Sequence, residues 1–462
     1  MALLSGRGCK FRVSTIAVLA IVAALSDSVL AQDDFFGTIA VDLDDSSRRD
    51  SPYSLYGWVT EKVGYGLESP GLPFSRTERD IDRVETSLFA QFDASLSPEM
   101  QLRFSGKAYH DAVYALNDDI TYTRSERNVF RNRFEVKDLY IERRFDNGLY
   151  LKLGNQLFAW GLAEYSRVTD LINTEDQYTF GQQDLEDLRQ QVPALLIGFN
   201  VGAWALDTVI TVDAGRNDIA PARDEFDPLV RLRDSGLVLE RQSPDTRYET
   251  FVRASTHWSA GDIQLVAGEF NDNALSVSRI DAFTGPAPQL IFAQNRMRAA
   301  GIAANWVRGS WLVFGELGLH LGKAMAPTAA TSLQKFAGWD ESDQLLSVLG
   351  LEFNGFRNLL LSLELDNAHT RDHNASMQAD RNQMSAGARV YWTALNERLQ
   401  LLAVHNELAN NAGSVSRFSA QYHWSDNFNF GLLWMDYASR QGSPYYDYRN
   451  NDVVQLQYSF QL

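Results

Sequence analysis

The feature that most constrains this chain is a period-two alternation of apolar and polar residues, repeated from about residue 55 to the C-terminus. In the last segment Val454, Leu456, Tyr458, Phe460 and Leu462 fall on one face and Gln455, Gln457, Ser459 and Gln461 on the other. Leu359, Leu361, Leu363 and Leu365 alternate in the same way with Ser362, Glu364 and Asp366. Met384 to Trp392 repeats the pattern, as do Leu149, Leu151 and Leu153 against Tyr150, Lys152 and Gly154. Successive strand side chains point to opposite faces, so each segment is a strand with one oily side and one wet side. A wall between lipid and an aqueous lumen needs that division.

Connections form a second pattern. Tight turn sequences recur at Ser97-Pro98-Glu99, Asp146-Asn147-Gly148, Ser259 to Asp262, Arg308-Gly309-Ser310, Gly355 to Asn358 and Ser425-Asp426-Asn427. Longer polar segments lie between them: Val113 to Glu135, Asp213 to Arg247, Asn271 to Asn295 and Gly322 to Ser342. A strict alternation of short and long connections predicts an all-β, transmembrane antiparallel barrel with short periplasmic turns and long extracellular loops. Strand counting gives about 18, with 16 as the nearest alternative. The strand near Leu55 has to pair with the one ending at Leu462, because an open edge in lipid leaves backbone groups unsatisfied. Trp258, Trp306, Trp311, Trp392, Trp424 and Trp434 fall near strand ends or turns, where two interfacial girdles are expected.

Composition limits the function classes. The mean hydropathy of -0.26 is too polar for a helical membrane protein, whereas a barrel hides its lipid face in every second residue. A net charge of -17 leaves no basic excess to neutralise phosphates, which argues against nucleic acid as a partner. Arg7, Lys10 and Arg12, followed by the apolar run Val13 to Leu25 and by Val29-Leu30-Ala31, read as a signal peptide (1–31) cleaved after Ala31. The single cysteine, Cys9, leaves with it, so the mature chain has no disulfide or thiolate site. Residues 32–54 read as an acidic periplasmic lead and 55–462 as the barrel. The localisation this implies is the outer membrane, with membrane lipid, lipopolysaccharide and the barrel-assembly machinery as partners.

The stretch from Leu153 to Pro193 is long for a connection and carries apolar residues of its own, among them Val168, Leu171, Ile172 and Phe180. It reads as a loop over about 157–192 that folds into the lumen and narrows it. Candidate pore-lining and constriction residues are Arg131 and Arg133 before the fourth strand, Asp138 and Glu142 (with Arg144) on one phase of it, and Lys152 and Gln156 on the next. Trp160, Tyr165, Asp170, Asn173 and Asp176 on the loop complete the set. Opposite charges on neighbouring strands set a transverse field, and they also brace the wall.

No cofactor, metal site or catalytic constellation is read. Gly-x-Ser-x-Gly and phosphate-cradling glycine loops are absent from the sequence. His369 and His373 sit four apart in a polar loop rather than on a helix. Asp118-Asp119 and the Asp224-Glu225 and Asp227 group read as solvated loop charges, without the ordered spacing of a calcium loop.

The run Lys137-Asp138-Leu139-Tyr140-Ile141-Glu142, then Leu153-Gly154-Asn155-Gln156, Trp160-Gly161, Val168 to Asn173, Asp176 and Arg189 to Pro193 resembles an uncharacterised family of proteobacterial outer-membrane barrels. The resemblance covers about Phe134 to Phe199. It implies a porin-like barrel associated with transporters of the resistance-nodulation-division type that handle lipids or other hydrophobic compounds. Where the family has Asn-Pro-x-Asp, this chain has Asn173-Thr174-Glu175-Asp176. Two functions follow as expectations: a porin-like channel for small or hydrophobic solutes, or a plugged barrel serving as the outer-membrane adaptor of an inner-membrane transporter or periplasmic partner. A secreted all-β binding protein or enzyme ranks last.

Overall fold

A computed structural model describes residues 51–68, 80–116, 123–183, 187–281, 288–328, 338–409, 412–441, 443 and 445–462. The signal peptide and most of the lead fall outside the described residues.

Eighteen antiparallel strands close into one barrel. They are β1 (Tyr53–Gly66), β2 (Ile81–Ser97), β3 (Met100–Asp111), β4 (Asn132–Arg144), β5 (Tyr150–Gln156) and β6 (Val192–Val201). Next come β7 (Trp204–Thr211), β8 (Glu249–Trp258), β9 (Gly261–Asn271), β10 (Arg296–Arg308), β11 (Trp311–Met325) and β12 (Asp340–Phe356). The wall ends with β13 (Leu359–Thr370), β14 (Asn382–Ala394), β15 (Leu399–Leu408), β16 (Gly413–His423), β17 (Phe428–Ser439) and β18 (Val453–Gln461). Each strand pairs with its neighbour in sequence, and β18 returns to β1 with Trp58 opposite Gln461 and Gly66 opposite Val453. On the lumen side of that seam the hydroxyls of Thr60 and Ser459 meet at 2.9 Å. Closure pairs the two edge strands, whose backbone groups an open sheet would leave unpaired.

The alternation read from sequence sorts the two faces. Leu456 is 61% exposed on the outside, while Gln455 is buried inside. Leu349, Leu363 and Leu365 stand outward on β12 and β13, and Glu364 inward. The predicted tight turns all fall at one end of the barrel, and two more join them at Gly202-Ala203 and Leu395 to Arg398. The latter carries no glycine, yet Leu395, Asn396 and Glu397 take positive φ values of 55°, 57° and 67°. Nothing but Asn396 signals that conformation. The long-loop end has one exception to strict alternation: only residues 409–412 separate β15 from β16. The tryptophans also differ from a double girdle. Trp258, Trp306, Trp311, Trp392 and Trp424 gather at the short-turn rim, and Trp434 sits within β17.

Candidate functional site

The segment between β5 and β6 crosses the lumen and is fastened to opposite walls by different chemistry. Glu316 of β11 is 2% exposed. Its Oε1 accepts the N–H groups of Leu162 and Ala163 (2.8 Å for Ala163), and its Oε2 accepts the N–H (2.9 Å) and hydroxyl (2.7 Å) of Thr169. Glu364 of β13 accepts the N–H groups of Glu164 and Tyr165, both at 3.0 Å. Two buried carboxylates are thereby supplied with donors by loop backbone that has no ladder of its own. The loop presses on the wall where the wall has no side chain. A Cβ on Gly387 of β14 would lie 2.3 Å from the Tyr165 ring, and one on Gly318 of β11 would lie 2.8 Å from Val168. Arg389 of β14 pairs with Glu164 and, at 2.8 Å, with Glu352.

On the facing wall the attachment is ionic. Lys107 of β3 and Lys137 of β4 meet Asp187 at 2.6 and 2.8 Å, and Arg133 of β4 meets Asp176 at 2.6 Å. A third set of bonds holds the flank: Arg417 of β16 donates to the carbonyls of Gly181 (3.0 Å) and Gln183 (2.7 Å), and the Tyr437 hydroxyl donates to Phe180 (2.5 Å).

Lys137 reaches the lumen because of an irregularity. The β3–β4 register shifts between Phe104 and Gly106, and the Asp138 N–H donates to the Ser105 hydroxyl at 2.9 Å. The bulge turns Lys137 and Asp138 inward in succession. Strict alternation from Asp138 assigns Lys137 to the lipid side, which is how sequence reading missed it. Glu316, Glu364 and Lys107 were missed for a different reason: each is one inward charge among many, and only the path of the loop singles it out.

The predicted site residues divide into three groups. Arg131, Arg133 and Asp176 line one cavity together with Lys62, Lys107 and Asp187. Arg131 ends the helix Arg124–Arg131, and Arg133 lies within β4 rather than before it. The Arg131 Nε is buried and has no hydrogen-bond partner among the described residues. Nearer the short turns, Glu142 accepts the Tyr150 hydroxyl at 2.7 Å and the Lys152 ammonium lies 3.7 Å from the centre of the Tyr140 ring. Asp138 shares that belt with the Arg103–Asp93 pair at 2.7 Å.

The remaining residues make their contacts within the loop and to the wall beneath it. Trp160 is 2% exposed and packs edge-on against Phe158 and Phe251, in a cluster with Leu171, Ile172, Val192 and Phe270. Asn173 bonds both ends of the turn, accepting from the Phe158 N–H at 3.0 Å and donating to the Phe158 carbonyl and to Asp170 at 3.1 Å. Asp170 accepts from Arg189 at 2.8 Å and pairs with Arg167 at 3.2 Å. Gln156 donates to the Ala194 carbonyl at 3.0 Å across β5 and β6. Tyr165 rests on Gly387. The motif residues that carried the family resemblance are thus mostly the internal fastenings of one loop.

The loop between β7 and β8 also enters the barrel. Phe226 is buried against Tyr437 and Tyr448, with Met435 and Phe180 in the same cluster. Asp224 and Asp227, read as solvated, are both buried. Asp227 pairs with Arg233 and accepts the N–H groups of Leu229 (3.0 Å) and Arg223 (3.3 Å). Asp224 accepts the Tyr114 hydroxyl at 3.1 Å and the Phe226 N–H at 2.9 Å. Burial raises the Asp224 carboxyl from 3.8 to about 6, against the lowering effect of those bonds and of Arg83. The docked tip therefore binds a proton that the undocked tip releases, so docking is strongest below pH 4 and weakens as pH rises through about 6. Trypsin cleavage after Arg223, taken relative to cleavage of the unfolded chain at the same pH, is expected to speed up between pH 5 and 7 and to lose that relative pH dependence in Asp224→Asn. An unchanged profile in that variant assigns the effect elsewhere. His369 and His373 hydrogen-bond apart, to Asn382 (2.8 Å) and to the Ala379 carbonyl (2.9 Å).

Residues 74–214 match the model of a family described as a protein of unknown function (DUF1302), a span that includes the loop and its motif residues. No curated protein matches the chain. Among solved structures, OccAB1 of Acinetobacter baumannii is 8% identical with a TM-score of 0.52, over 90% of this chain and 98% of that one. OccK8 (OprE) of Pseudomonas aeruginosa is 8% identical at 0.51, over 89% and 98%. OccK2 (OpdF) of the same organism, solved with glucuronate, is 11% identical at 0.50, over 89% and 96%. At these identities the likeness is one of fold: the chain is a closed antiparallel barrel similar to outer-membrane porins.

Proposed function

We propose that the protein is an outer-membrane channel for small charged or strongly polar solutes, exported by its N-terminal signal and gated by the loop over 157–192. The observation that carries this reading is the charged cavity left between that loop and the β1–β4 wall. It is lined by Lys62, Arg83, Lys107, Arg131 and Arg133 against Asp82, Asp176, Asp187 and Asp224. Such a surface desolvates ions at low cost and disfavours apolar solutes. Asp138, Glu142 and Lys152 are the charges a solute meets next. Planar-bilayer recording of the purified protein tests the reading. Ion conductance is expected, with a step increase on deleting residues 163–182 and a changed reversal potential in Lys107→Glu. Absence of conductance both before and after the deletion rules it out.

A second reading is favoured by one observation. The loop is bonded to the wall at several places around the lumen, through β3, β4, β11, β13 and β16. A barrel shut in this way serves as the outer-membrane adaptor of a resistance-nodulation-division type transporter or a periplasmic protein. Co-purification of such a partner together with a silent bilayer supports it.

A further inference from the structure

The geometry points to an anion-binding site at the long-loop end of the barrel, built from Arg216, Arg241 and Arg247 and suited to a carboxylate or phosphate group. The three arginines line one cleft with Asp213, Asp218, Ser243 and Gln294. They arrive from separate places in the chain. Arg216 follows β7, Arg241 ends the short strand Val238–Arg241, and Arg247 precedes β8. All three are exposed, and none of their side chains makes an ion pair or a hydrogen bond with any described residue.

Several arginines inside the barrel and on the inward loop, by contrast, are matched to acids: Arg103, Arg133, Arg189, Arg253 and Arg389. The two acids at the cleft bond to neutral amides rather than to the arginines. Asp218 accepts the Gln190 amide at 2.8 Å, and Asp213 accepts the Ala214 N–H at 3.1 Å. Three arginines against two aspartates leave the cleft with a net positive charge that an anion neutralises. Guanidinium groups suit the task because their fixed fork matches two oxygens of a carboxylate or phosphate at once.

The frame beneath the arginines is fixed in place. Gln294 is buried and donates to the carbonyls of Gly215 (2.6 Å) and Asp272 (3.1 Å), tying the Arg216 stretch to the loop before β10. Val238–Arg241 is held as a parallel strand against Gln289–Ala293, and the Gln242 N–H extends the pairing to Phe292 at 2.8 Å. The cleft is also coupled to the inward loop. Asp218 and Ile219 pair with Asp176 and Gln177, and Asn217 accepts the Glu175 N–H at 3.0 Å. An anion held here therefore sits on the same backbone that carries Asp176 into the cavity below.

Two sources present this chemistry: a free solute, and the phosphate groups of lipopolysaccharide. The full chain, purified in detergent free of lipopolysaccharide, is titrated with inorganic phosphate and with succinate, and separately with purified lipopolysaccharide. The comparison is a triple R216Q/R241Q/R247Q variant, whose changes lie on exposed side chains and leave the barrel ladder intact. Binding that weakens with added salt and falls roughly tenfold or more in the variant supports the site. Loss of phosphate or succinate binding identifies a solute site. Loss confined to lipopolysaccharide identifies a lipid-headgroup site. Equal binding of all three probes by wild type and variant, with circular dichroism showing both folded, overturns the proposal.

Discussion

Replacing Glu316 and Glu364 together by alanine is expected to free the inward loop and raise single-channel conductance severalfold. The two carboxylates accept six hydrogen bonds from Leu162, Ala163, Glu164, Tyr165 and Thr169. Hydrogen bonds to a charged group contribute about 1.5–3 kcal/mol each. Water entering the emptied space recovers part of this, so the net loss is on the order of several kcal/mol, enough to reverse a docking equilibrium. The ladders of β11 and β13 are untouched, because both side chains point into the lumen. Faster trypsin cleavage after Arg167 is expected in parallel with the conductance change. Unaltered conductance with the loop still protected would mean that the remaining contacts, those of Lys107, Lys137, Arg133, Arg389, Arg417 and Tyr437, are enough to hold it.

Trp160→Ala is expected to lower stability by about 3–5 kcal/mol, the range for removing a buried aromatic ring, while leaving ion selectivity unchanged. The ring is enclosed by Phe158 and Phe251, and the Arg253 guanidinium lies 5.2 Å from its centre. Its carbonyl accepts the Thr169 hydroxyl at 3.2 Å and the Gln264 amide. Backbone bonds of this kind survive the substitution, so the loss is one of packing. Urea unfolding from detergent micelles measures the stability, and reversal potentials measure the selectivity. Trp160→Phe should recover much of the loss. The contrary result, normal stability with altered selectivity, would put the indole in the solute path.

The closed wall was readable before any coordinates because every strand repeats the same physical demand, one face for lipid and one for water. Val454 to Leu462 states that demand in nine residues, and the pairing of β1 with β18 follows from the cost of an open edge. The loop was also visible, since Val168, Leu171 and Ile172 make no sense in a solvated connection. Its fastenings were less so. Residues such as Asp170 and Asn173 look like solute-facing polar groups in a sequence, and prove to be buried braces whose partners lie at Arg189 and Phe158.

What the sequence alone determined is the barrel: its strand periodicity, its closure, a count of about 18, and the first of the two connections that turn inward. Tertiary structure decided which charges act together. Lys137 enters the lumen through a bulge that shifts its phase, and Glu316 and Glu364 become anchors because the loop passes over Gly318, two residues along β11 from Glu316, and over Gly387, opposite Glu364. Alternation is a local property carried by adjacent residues. A carboxylate acquires its role from donors about 150 to 200 residues away, at a distance that no local pattern encodes.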